Sequence, residues 1–245
     1  MTDPLFLTDV TGAQTGDELI LDRDEGRHAA VVKRIRVGVR VLLADGRGSA
    51  IRGLVTGDGK ASVTVRVAEL LRAPGKVLRW VGVQALAKGD RSDLAIEALT
   101  ELGVDEILAW QASRSIVRWQ GTDHGKVDKG VAKWPATVRE ATKQSRRFTV
   151  PPVSAASTKQ VCARIESAAA AFILHEEASG ALAARALPAT GEVLFIIGPE
   201  GGITPDELAA FTTAGAIPVS ISDGVLRTSS AGVVALAQLQ VLALH

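Results

Sequence analysis

Apolar positions in the first part of the chain come in short runs broken by turn signals. Leu5-Phe6-Leu7, Glu18–Leu21, Arg40–Ala44, Ala50–Val55 and Ser62–Leu70 alternate with Thr11-Gly12, Thr15-Gly16-Asp17, Asp45-Gly46-Arg47-Gly48 and Gly57-Asp58-Gly59. Short, evenly spaced strands predict a small β-barrel over residues 1–72. One helix, Glu25–Arg34, interrupts it, and Ile35-Arg36-Val37-Gly38 leads into the next strand. Leu71-Arg72-Ala73-Pro74-Gly75-Lys76 reads as a linker, because Pro and Gly end regular structure.

Beyond it, strands alternate with helices, which predicts an α/β domain over residues 75–245 with a mainly parallel sheet. Val77–Leu86 is the first strand and Ala87-Lys88-Gly89-Asp90-Arg91 a turn. Ser92–Leu102 is an amphipathic helix with Leu94, Ile96, Leu99 and Leu102 toward the core, capped by Gly103 before the strand Glu106–Trp110. Val127–Ser145 reads as a long helix in which Pro135 marks a kink or a fresh start. Between Ser154 and Gly191 the pattern is weakest: Val161–Ala169 is a helix, and Ala171–Glu176 a core strand ending in His175-Glu176. Val193–Ile197 is apolar throughout, the mark of a strand buried on both faces.

That strand breaks into Gly198-Pro199-Glu200-Gly201-Gly202. Thr204 then offers a helix N-cap, with Pro205 at the first helical position and Glu207 placed for a capping box. Val219-Ser220-Ile221, the polar loop 222–232 and the apolar helix Val233–Leu244 repeat the plan. Two such loops at the carboxyl ends of parallel strands line one cleft. Their glycines let a ligand approach the backbone, and the helix start offers unpaired N–H groups. No Gly-Lys-Ser/Thr follows and the dinucleotide spacing is absent, while Glu200 inside the loop argues against a bound phosphate. The alternative is an ordinary turn punctuated by Gly and Pro, and the loop alone does not separate the two.

Charge changes this picture little: 28 Lys+Arg against 27 Asp+Glu leave any nucleic-acid partner to a local patch. The single Cys162, a small core residue, excludes an internal disulfide framework and a Cys-rich zinc site, and it suits a reducing cytosol. No signal-peptide pattern and no membrane-length apolar run is present, so the expectation is a soluble cytoplasmic protein with neither membrane nor metal partner. Basic residues gather at Lys33, Arg34, Arg36, Arg40, Arg47 and Arg52, in Ser113-Arg114-Ser115-Ile116-Val117-Arg118-Trp119, and in Lys143-Gln144-Ser145-Arg146-Arg147. Such runs serve as solvated faces and helix C-termini as well as phosphate contacts, and Trp119 either packs or stacks on a base.

Gly198-Pro199-Glu200-Gly201-Gly202, followed by Leu226-Arg227-Thr228 and a small-residue helix start, resembles the SPOUT-superfamily methyltransferases that modify N3 of a uridine in 16S ribosomal RNA. Lys88-Gly89-Asp90-Arg91, Glu101-Leu102-Gly103-Val104, Ser113-Arg114-Ser115 and Glu140-Ala141…Gln144-Ser145-Arg146 recur there in this order, as does His28…Arg34…Gly38. The resemblance covers almost the whole chain. It implies a PUA-like, RNA-binding barrel in residues 1–72, then a SPOUT α/β domain with a C-terminal trefoil knot that pairs as a homodimer. It also implies S-adenosyl-L-methionine as cofactor, and 16S ribosomal RNA or the small ribosomal subunit as partner.

By the same resemblance the cofactor cleft is formed by Leu174, Ile197, Gly198, Pro199, Glu200, Gly201, Ile221, Ser222, Leu226 and Thr228, with apolar Leu174, Ile197, Ile221 and Leu226 sandwiching the adenine. RNA contacts fall to Lys33, Arg34, Arg36, Arg52, Arg114, Lys143, Arg146 and Arg147. Arg227 and Glu200 are the catalytic candidates. Arg227 neutralises a uracil anion or holds its phosphate; Glu200 either accepts the N3 proton or fixes the loop. The chain departs from the family at Ile221-Ser222, where Leu-Gly is usual, and at Thr228-Ser229-Ser230-Ala231, where Thr-Glu-Thr-Ala is common. Two other functions stay open: methylation of another RNA, such as a transfer-RNA ribose 2′-hydroxyl, and RNA binding without catalysis.

Overall fold

The computed structural model describes residues 3–88, 91–115 and 124–244, without the side chains of 124–132. The Gly89-Asp90 turn and the Ile116–Trp119 half of the basic loop lie outside the described residues. The chain forms two compact units, residues 1–75 with 139–150 and residues 76–138 with 151–245. The segment 139–150 thus groups with the first unit, whereas the sequence pattern runs the second from 75 to 245 without a break.

The first unit holds β1 (Leu5–Leu7), β2 (Glu18–Leu21), α1 (Arg23–Arg27) running on as a π-helical turn (His28–Val32), β3 (Arg40–Ala44), β4 (Ser49–Asp58) and β5 (Val63–Arg72). The strands make one five-stranded sheet in the order β1-β3-β4-β5-β2, antiparallel except for β1 beside β3. Two register shifts along β4, at Arg52/Gly53 and Val55/Gly57, bend the long hairpin it makes with β5. Phe6, Leu21, Leu43, Ile51, Val55 and Val65 fill the core beneath it.

The expected helix Glu25–Arg34 differs from the observed one. It starts earlier, at Arg23, and its second half is a π-turn in which the Lys33 N–H donates to His28 O at 2.8 Å; after Arg34, at φ +52, the Ile35 N–H closes the end on Ala29 O at 3.0 Å. Gly26 is required there, because a Cβ would stand 2.5 Å from Leu21 O and 2.7 Å from Ala61 O.

The second unit holds β6 (Leu78–Ala85), α2 (Arg91–Leu102), β7 (Glu106–Trp110), α3 (His124–Ser145, whose end lies in the first unit), β8 (Val153–Ala156), α4 (Thr158–Ser167), β9 (Ala170–Leu174), β10 (Gly191–Ile197), α5 (Pro205–Thr213), β11 (Ile217–Val219) and α6 (Thr228–Leu242). Its sheet has the order β11-β9-β10-β6-β7-β8 and every pairing is parallel. Central β10 presents Val193–Ile197 at no more than 1% exposure. Each such side chain contributes about 1.5–3 kcal/mol on burial.

Several expectations are corrected. Leu94 is 53% exposed, and the core stripe of α2 is Ala95, Ile96, Leu99 and Thr100. Helix α3 runs through Pro135 without a break. The last helix starts at Thr228 rather than Val233, and β11 lies two residues before the expected Val219–Ile221. Edge strand β8 was not anticipated.

Candidate functional site

Because β6, β7, β9, β10 and β11 are parallel, the loops after them leave the sheet at one edge. The loop after β10 is fixed at its far end by α5. Thr204 Oγ1 accepts from the Glu207 N–H at 3.2 Å, and Glu207 Oε2 accepts from the Thr204 N–H at 3.0 Å and its hydroxyl at 2.9 Å. The other oxygen, Oε1, accepts from the Ser113 N–H at 2.7 Å. Glu207 is 4% exposed. Burial pushes its carboxyl up, but the bonds from Ser113 and Thr204 outweigh burial and hold it below the ordinary 4.5. One ionised carboxylate therefore ties the loop after β7 to the loop after β10.

Two further contacts brace residues 198–202. Glu200 Oε1 accepts from the Lys88 N–H at 3.1 Å and from Arg91 Nη1 at 3.3 Å. Arg114 Nη1 donates to Gly201 O at 3.0 Å, and a Cβ on Gly201 would lie 3.1 Å from the Arg114 Cβ. Arg114, expected as an RNA contact, thus supports the loop after β10, and the space beside Gly201 belongs to its side chain. Below the loop, fully buried Gln84 donates from Nε2 to Thr228 Oγ1 at 2.9 Å, and the Thr228 hydroxyl donates to Gly198 O at 2.9 Å. Central strand, Gly loop and the first residue of α6 are linked in one line.

Leu174, His175, Ile221, Ser222, Val225 and Leu226 surround a pocket of about 410 Å³ at the carboxyl ends of β9 and β11. It gathers four of the ten residues expected around the cofactor: Leu174, Ile221, Ser222 and Leu226. Ser222 does not block it with a free hydroxyl, since its Oγ donates to Gly224 O at 2.5 Å, and Gln238 Nε2 fixes Ile221 O at 2.8 Å. Gly198, Pro199, Glu200, Gly201 and Thr228 lie in the braced loop and beneath it rather than on the pocket wall. Ile197 is corrected: it is 1% exposed and its side chain meets Gly232 of α6, so it offers a ligand backbone rather than an apolar face. Arg227 precedes α6 with an exposed side chain that makes no hydrogen bond or ion pair among the described residues.

The basic residues of the first unit divide. Arg36 pairs with Asp58 at 3.7 Å, and Arg52 pairs with Asp3 at 3.2 Å and with Glu69. Lys143 is 9% exposed between Glu25 at 3.3 Å and Glu140 at 2.6 Å, so it is a structural cation. Arg147 is half-buried, its N–H donating to Thr142 O at 3.1 Å. Lys33, Arg34 and Arg146 are exposed and make no side-chain ion pair among the described residues. In the second unit, burial first and Glu166 second push the Cys162 thiol up, consistent with packing and not nucleophilic chemistry. Among the described residues no cluster of three His, Cys, Asp or Glu is placed to hold a metal, and no helix is long and apolar enough to cross a membrane.

The RNA methyltransferase domain family matches residues 76–240, the span that contains both loops, the pocket and nearly all of α6. A Mycobacterium bovis protein named ribosomal RNA small subunit methyltransferase E is 44% identical over 247 residues, covering 99% of this chain and 93% of that protein. The chain belongs to this family of RNA methyltransferases. A Bacillus subtilis member of the same name is 28% identical, covering 87% of this chain and 86% of its own. The crystal structure of the Neisseria gonorrhoeae ribosomal RNA small subunit methyltransferase E bound to S-adenosyl methionine superposes with a TM-score of 0.83, at 27% identity and 98% coverage of both chains. A putative methyltransferase of Legionella pneumophila, in complex with the same cofactor, gives 0.85 at 27% identity and the same coverage.

Three residues that brace these loops, Gln84, Glu207 and Arg91, differ in how the sequence marks them. Gln84 had a signal, an amide inside the apolar run Val81–Leu86. Glu207 was legible as a helix cap but not as the clamp on Ser113, and nothing local marks the Arg91 contact to Glu200.

Proposed function

We propose that the protein is an S-adenosylmethionine-dependent methyltransferase that modifies N3 of a uridine in 16S ribosomal RNA. The observation that carries this reading is the 44% identity to a ribosomal RNA small subunit methyltransferase E across 99% of the chain. The pocket suits the cofactor: Leu174, Ile221 and Leu226 offer apolar surface for an adenine, and the strand-end backbone offers polar groups for its edge. When bound, the cofactor supplies a methyl group activated by a sulfonium.

The chain's own residues do the rest. The braced loops hold donor and acceptor in line, which requires rigidity rather than a reactive side chain. Arg227, a cation just before α6 with no hydrogen-bond or ion-pair partner among the described residues, stabilises negative charge on the uracil as the N3 proton leaves. Glu200, already accepting from Lys88 and Arg91, serves to fix the loop. N3 lies on the pairing edge, so the uridine enters unpaired. The first unit is the PUA-like grip on RNA, residues 76–245 carry the trefoil knot, and the ribosomal substrate places the protein in the cytoplasm.

The reading includes a homodimer through α6. Val241 of α6 is 56% exposed and offers an apolar contact to a second copy. Light scattering at micromolar concentration should report two chains per particle, and Val241→Glu should shift it toward one; a wild-type monomer contradicts the dimer. Calorimetry tests the cofactor itself: saturable binding of S-adenosylmethionine to the full chain is expected, and its absence in folded protein refutes the enzymatic reading.

A further inference from the structure

The first unit contains a second concave site, of about 560 Å³, bounded by β1, the π-helical turn and the end of α3. Its charge does not cancel. Lys143 and Arg139 face Glu25 and Glu140 in ion pairs of 2.6 to 3.3 Å, two cations against two carboxylates. Lys33 and Arg146 line the same cavity, and among the described residues neither has a side-chain partner. The site therefore keeps two unmatched positive charges. His28 is half-buried in the wall, its ring set edge-on to Phe6 at 6.1 Å and 79°. Gln144 is exposed at the rim with a free amide donor and acceptor.

Both unmatched cations stand at helix ends, where the backbone fixes the origin of each side chain. Lys33 closes the π-turn through its N–H to His28 O at 2.8 Å, and such turns are frequent at functional sites. Arg146 has φ +56, a left-handed conformation that costs a non-glycine residue about 1–2 kcal/mol. A phosphate joined to a flat ring uses the cations, the imidazole and the amide together.

We propose that this pocket binds one unpaired nucleotide of the RNA substrate, its phosphate on Lys33 and Arg146 and its base against His28 and Gln144. The proposal rests on the reading of the protein as an RNA methyltransferase, but its test does not need methylation. The full chain is titrated at low salt with the four nucleoside 5′-monophosphates and, separately, with inorganic phosphate, following the ring proton signals of its four histidines by NMR. The His28 signal, assigned with His28→Gln, should move with at least one nucleotide and much less with phosphate. The Lys33→Ala/Arg146→Gly double variant should lose that response; glycine suits φ +56, so its fold is not at risk. The same variant should flatten the log–log salt dependence of RNA binding by about two units of slope and raise the apparent Michaelis constant about tenfold or more, with turnover at saturating RNA retained. A His28 signal that ignores every nucleotide, or answers phosphate equally well, overturns the proposal. Nucleotide binding without methylation of RNA would uphold the pocket and refute the enzymatic reading instead.

Discussion

Arg227→Ala should lower the turnover number by about 10²–10³-fold while cofactor affinity stays within about twofold. The side chain is exposed and makes no hydrogen bond or ion pair among the described residues, so its removal should leave the fold unchanged. Arg227 stands one residue before Thr228, whose hydroxyl is locked to Gly198 O, so its backbone is held while its guanidinium is free. A cation fixed in that way is worth most when charge develops nearby and little beforehand, which separates kcat from binding. Single-turnover kinetics with saturating RNA, beside calorimetry of the cofactor, measure the two quantities. Equal losses in both would make Arg227 a cofactor ligand, and no loss in either would remove it from the site.

Glu207→Ala should destabilise the protein by about 2–4 kcal/mol, because it strands the N–H groups of Ser113 and Thr204 that now donate to one buried carboxylate. It should also weaken cofactor binding about tenfold or more, since the loops after β7 and β10 lose their common tie. The pH dependence has a definite sign. The folded carboxyl sits below its ordinary 4.5, so its stabilisation is complete above that value and is lost as pH falls through the lower, folded one. Denaturant titrations of wild type and Glu207→Gln should accordingly differ most at neutral pH and converge in acid. A gap that stays constant with pH would mean that the ionised form is not what holds the loops.

The parallel sheet was legible where burial on both faces writes an unbroken apolar run, as in Val193–Ile197, and where caps are local, as at Thr204 and Glu207. It was illegible at the edges. β8 pairs on one side only and exposes Ser154 and Ala155, so no run of apolar residues announces it. β11 carries Pro218, which an edge strand tolerates, and that shifted its expected position. Leu94 pointed outward because the tertiary neighbours of α2 select the Ala95-Ile96-Leu99 stripe, a choice that helical periodicity alone leaves open.

The site divides in the same manner. Its two glycine loops and Arg227 stand together in sequence, whereas the contacts that make them rigid join residues 94 positions apart, as in Ser113 to Glu207, or 144 apart, as in Gln84 to Thr228. Charge misled for a related reason. Lys143 reads as part of a basic cluster, and only the folded unit reveals Glu25 beside it.

The most direct test of the account is nucleoside mass spectrometry of 16S ribosomal RNA from small subunits that lack this modification, after incubation with the purified protein and S-adenosylmethionine. The expected result is 3-methyluridine at one position, nearly abolished by Arg227→Ala. A methyl group on a ribose 2′-hydroxyl, or no methylation by a protein that binds the cofactor, would contradict it.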